Sequence, residues 1–150
     1  GPGPGLLGVG WEEEAGAARP LRVAGARPSR LLGGEGSRAQ RARLATWVPR
    51  RFRDLALELV FSTDVDGYNL AHLYAACGGA APNLMVVRGQ PQLGPGPGAA
   101  ARSFVVGSFN THPWAQRAGH FGNEECFLFA LEPRPKVLRW APPELAALAA

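Results

Sequence analysis

The 150-residue sequence contains two cysteines, Cys77 and Cys126, and a single lysine, Lys136. Two cysteines are fewer than a small disulfide scaffold uses, so both read as reduced thiols that pack as small apolar groups in an intracellular protein. No run of 18 apolar residues occurs, which excludes a membrane-spanning helix in the sequence. The chain opens on Gly1 without a basic stretch leading into an apolar one, so no secretory signal is recognised and a fragment is expected. No phosphate-binding glycine fingerprint, P-loop lysine or Gly-x-Ser-x-Gly elbow is present.

Glycine and proline are abundant, at 20 and 14 residues, while apolar residues make up 46%. The first figure indicates unstructured stretches and the second a packed part, so the chain reads as one modest domain with flexible segments. Charge divides unevenly. Residues 1–53 carry ten Arg against four Glu, and residues 54–150 carry eight acids against five Arg and Lys136. A basic arm suits a solvated linker or an anionic lipid surface, each charge near such a surface contributing about 1 kcal/mol. Arg41, Arg43, Arg50, Arg51 and Arg53 are the candidates for lipid contact. The arginine excess accompanies excess Gly, Ala and Pro, a compositional bias, and is not read as nucleic-acid recognition.

Residues 1–43 show no lasting apolar period and read as a Gly/Pro/Arg-rich flexible linker, with the domain over 44–150. Pro49 should end any helix before it. Leu55 to Phe61 predicts a strand closed by the turn cluster at 62–67. Asn69 predicts a helix cap. Leu70, Leu73, Tyr74 and Cys77 share one helical face, and Gly78 and Gly79 supply a left-handed stop. Four further strands are predicted: Leu84 to Arg88, Ser103 to Asn110, Cys126 to Leu131 (apolar on both faces) and Val137 to Trp140. Gly107 signals a bulge or a close backbone approach. The Gly/Pro stretch over 89–101 predicts a mobile loop, and Glu144 to Ala150 at most two helical turns. One helix followed by short strands with brief links predicts an α+β fold with an antiparallel sheet.

Chemistry is sparse. Asp64-Val65-Asp66-Gly67 lacks the twelfth-position Glu of a calcium loop, where Ala75 stands, and reads as a turn. His72, His112 and His120 do not pair with either cysteine at zinc spacing, so no metal or other cofactor is expected. Cys126 is a candidate nucleophile set in an apolar strand, where burial would raise its pKa. Glu124 and Glu125 near His120 offer an acid–base pair, but Gly122-Asn123 beside them favours a turn. No catalytic set is assigned.

Several blocks resemble the TLDc domain family. The segment from Leu59 to Tyr74, with Phe61, Ser62, Gly67, Tyr68, Leu70, Leu73 and Tyr74, is similar to its opening strand, turn and helix. Asn83 to Arg88 is similar to its next strand. Val106-Gly107-Ser108-Phe109 with Trp114 resembles its Gly-Ala-Phe…Trp block. Phe121-Gly122-Asn123-Glu124-Glu125-Cys126-Phe127-Leu128-Phe129 resembles its Phe-Gly-Thr-Gly-Glu-Cys-Phe-Leu-Phe block, and Trp140 closes a strand like its Tyr-x-Trp. Glu124 replaces the glycine usual before the family's Glu, which bears on any role of Glu125. The lead-in Trp47-Val48-Pro49-Arg50-Arg51-Phe52 is most similar to members that carry a TBC domain ahead of the TLDc domain.

The resemblance implies a sandwich of two antiparallel sheets flanked by helices, here lacking its C-terminal part. It implies a non-catalytic interaction module tied to vesicle trafficking, oxidative-stress protection and the vacuolar proton-pumping ATPase. Small GTPases of the Rab and ARF classes would be reached through the parent protein. The expected location is the cytoplasm, peripheral on vesicle or plasma membranes. The alternatives are an oxidative-stress thiol enzyme using Cys126 or Cys77, and a truncated product without activity of its own.

Overall fold

The computed structural model describes residues 6–9, 19–90 and 103–142, the first group by its backbone alone. Among the described residues, strands and α-helices follow in the order β1 (Leu6–Val9), β2 (Val23–Ala24), α1 (Arg38–Trp47), β3 (Leu57–Glu58), α2 (Thr63–Asp66), α3 (Leu70–Cys77), β4 (Asn83–Gly89), β5 (Phe104–Asn110), β6 (Phe127–Glu132) and β7 (Lys136–Trp140). The main sheet has the order β1-β7-β6-β5-β4 with every pair antiparallel, and β2 pairs with β3 in a small parallel ladder. The class is α+β, with no closed barrel among the described residues.

Residues alternate along the strands between a covered face and an open one. Phe127, Phe129 and Leu131 of β6, Val105 and Phe109 of β5 and Val137 of β7 turn inward, where Leu84 and Val86 of β4 join them. Val87, Leu128 and Trp140 turn outward and stay exposed. β6 is therefore covered on one face, not two as its apolar run suggested. α1 supplies the second layer through Leu44, Ala45 and Trp47, with the Trp47 ring 6.1 Å from that of Phe129. Leu44 is fully buried, which stabilises the fold by about 1.5–3 kcal/mol. Gly107 sits where a Cβ would come within 2.1 Å of the Met85 carbonyl oxygen and 2.5 Å of the Phe129 ring. The predicted close approach lies at Gly107, and the strand register shifts between Val105 and Val106.

The linker reading of 1–43 fails over the described residues. Leu21 and Leu32 are core residues, β1 pairs with β7, and α1 begins at Arg38, so a boundary at 44 would cut a helix. The reason is local: Arg, Ala and Gln at 38–43 have high helix propensity although they offer few apolar residues to a periodicity test. α1 does end at Trp47, with Val48 extended ahead of Pro49. Leu55 to Phe61 forms only the two-residue β3. Asn69 caps α3 as predicted, its Oδ1 accepting from the His72 N–H at 3.2 Å. Gly78 closes α3 in a right-handed conformation, not a left-handed one. No residue of α3 is fully buried, so its apolar face is not a core face in the described structure. Of the 89–101 loop only Gly89 and Gln90 are described, and 144–150 lies outside the described residues.

Candidate functional site

The residues singled out from the sequence form two groups. Ser62, Gly67, Tyr68, Leu70, Leu73 and Tyr74 shape the α2–α3 corner. Gly107, Trp114, Phe121, Gly122, Glu125, Cys126 and Phe127 lie on β5 and β6 and in the connection between them.

At the corner, Ser62 Oγ accepts from the Asp64 N–H at 3.3 Å, and Asp66 accepts from the Ser62 N–H at 2.9 Å. This reciprocal cap satisfies backbone donors that the first helical turn leaves open. Arg27 reaches the same carboxylate and donates to the Val60 carbonyl at 3.0 Å. Its guanidinium, with the Ser62 N–H, holds the Asp66 carboxyl below its ordinary pKa despite partial desolvation. The motif 64–67 is thus a capped turn and not a calcium loop. Phe61 is half-buried, whereas Tyr68 is 91% and Leu70 61% exposed.

Asn83 ties the two groups together. Its Nδ2 donates to the carbonyls of Ala80 (2.9 Å) and His112 (3.2 Å), and its Oδ1 accepts from Asn110 Nδ2 (3.0 Å) and Trp114 Nε1 (3.1 Å). The turn after α3, the ends of β4 and β5 and the following loop are thereby joined. Trp114 meets Phe121 edge-on at 6.4 Å, and Arg117 lies over the Phe121 ring. Asn110, Trp114, Gly119, His120 and Phe121 line an open cavity of about 240 Å³.

The turn before β6 is built on Gly122, whose φ of +114° disfavours other residues and where a Cβ would come within 3.1 Å of Cys126 Sγ. Asn123 Oδ1 accepts from the Glu125 N–H at 3.0 Å. Both Glu125 oxygens accept from Arg51 in a two-pronged ion pair. This pairing holds the Glu125 carboxyl below its ordinary pKa and raises that of Arg51. Glu125 is therefore engaged with Arg51 and is not the free acid of an acid–base pair with His120.

Cys126 precedes β6 and is half-buried, contrary to its placement inside an apolar strand. Thr111 Oγ1 lies 3.4 Å from Cys126 Sγ and 2.9 Å from His112 Nδ1. Burial pushes the Cys126 thiol up, but hydrogen bonds from Thr111 and from the Asn123 backbone outweigh it, and the net pKa is lowered. Burial thus acts on this thiol in the expected direction and is outweighed by hydrogen bonds that the sequence does not reveal. For Cys77 burial does raise the pKa.

The arginines proposed for lipid contact separate. Arg41 is 8% exposed and donates to the carbonyls of Leu21, Leu32 and Gly34, so its charge is withdrawn from the surface. Arg53 donates to the carbonyls of Val48 and Thr46. Arg51 is held by Glu125, Arg43 is half-buried, and Arg50 is exposed. Sequence reasoning missed Arg27, Arg41 and Asn83 as structural hubs. Only Asn83 carried a signal, as an amide at the start of a strand behind Pro82.

Among the described residues, no cluster of three His, Cys, Asp or Glu could hold a metal, and no helix is long and apolar enough to cross a membrane. Comparison with known proteins matches residues 37–149 to the TLDc domain family. TBC1 domain family member 24 of Xenopus laevis is 28% identical over 101 residues, covering 63% of this chain and 16% of its own length. The protein of the same name from Xenopus tropicalis is 27% identical over 101 residues, with the same coverage of each chain. The chain thus spans about a sixth of the length of these curated relatives.

Proposed function

Because the chain belongs to the TLDc family, we propose that it is a non-catalytic interaction module of a protein that also carries a TBC domain. It acts in vesicle trafficking and oxidative-stress protection by binding the vacuolar proton-pumping ATPase in the cytoplasm. Any action on Rab or ARF GTPases belongs to the TBC domain of the parent. Contact with anionic phospholipid at vesicle or plasma membranes falls to exposed arginines such as Arg50. Nucleic acid is not a partner.

The observation that carries this reading is the family match over 37–149, together with the similarity over 101 residues to relatives named for a TBC domain. The immobilised chain should retain vacuolar ATPase subunits from a membrane lysate, identified by mass spectrometry. Their absence, with a chain that melts cooperatively, contradicts the reading.

A second reading, a thiol function at Cys126, is favoured by one observation: the half-buried thiol with a lowered pKa beside Thr111 and His112. It predicts that Cys126 reacts with iodoacetamide at pH 7 faster than Cys77, since the thiolate is the nucleophile. Equal, slow labelling of both thiols removes it.

A further inference from the structure

We draw no further inference here: the strongest candidate, the apolar groove between β3 and the outer edge of β4 that reaches the core at Leu21, Val48 and Phe109, carries nothing because nothing in the structure shows what covers it.

Discussion

Asn83 makes four hydrogen bonds, two given and two accepted, to Ala80 and to the stretch from Asn110 to Trp114. An Asn83→Leu replacement keeps the bulk and takes this partner from the Trp114 indole N–H and two carbonyls, while the Asn110 amide keeps Ser108 Oγ. Each half-buried polar group left unpaired costs about 1–3 kcal/mol, moderated here by access to water. Denaturant unfolding should show a loss in that range, and an unchanged midpoint would contradict the hub role.

The carboxylates of Asp66 and Glu125 make a prediction of opposite character, one that depends on pH. Each is bound by an arginine and its folded-state pKa is depressed. Such groups contribute stability above the unfolded pKa of about 4, and that contribution disappears as pH falls through the folded value. The melting temperature of the chain should fall below about pH 4. Glu125→Gln should lower it near neutrality and make its acid decline shallower. Parallel pH profiles for the two proteins would show that the Arg51 pairing contributes nothing.

At the scale of elements, legibility followed the strength of local signals. The cap at Asn69, the four main antiparallel strands and the special place of Gly107 could be read, because each rests on a residue type with a specific backbone or packing consequence. α1 could not. Its contribution to the core comes from Leu44, Ala45 and Trp47 near its end, while Arg41 fills the preceding turn with a buried guanidinium bonded to carbonyls. Composition marks such a stretch as solvated, although the three carbonyl partners make its burial affordable. Leu21 and Leu32 were invisible for the same reason: single apolar residues in a basic run have no period. The Cys126 site was half legible, since the residue was flagged but its neighbours Thr111 and His112 become adjacent only through the β5–β6 pairing.

Deletion separates these views of the arm. Removing residues 1–43 also removes Leu21, Leu32 and most of α1, so cooperative thermal unfolding should be lost or its midpoint should fall steeply. Removing residues 1–18 takes away the edge strand β1 but keeps Leu21, Leu32 and α1, so its loss should be the smaller of the two. Equal melting of the two shortened chains would restore 19–43 to linker status.

For the whole molecule, the family match begins at residue 37, yet the described core draws on residues from Leu21 onward. The TLDc motif positions divide in the same physical way. Phe127, Gly107 and Ser62 have packing or capping tasks that explain them within the fold. Tyr68, Leu70 and Trp140 are exposed among the described residues and have no packing task in the core. The proposed contact role would draw on such residues. The most direct measurement is an equilibrium titration of the full 150-residue chain with purified vacuolar ATPase peripheral sector, followed by fluorescence anisotropy of labelled chain. The account predicts a saturable isotherm. A flat anisotropy trace from a chain that melts cooperatively in the same buffer would contradict it.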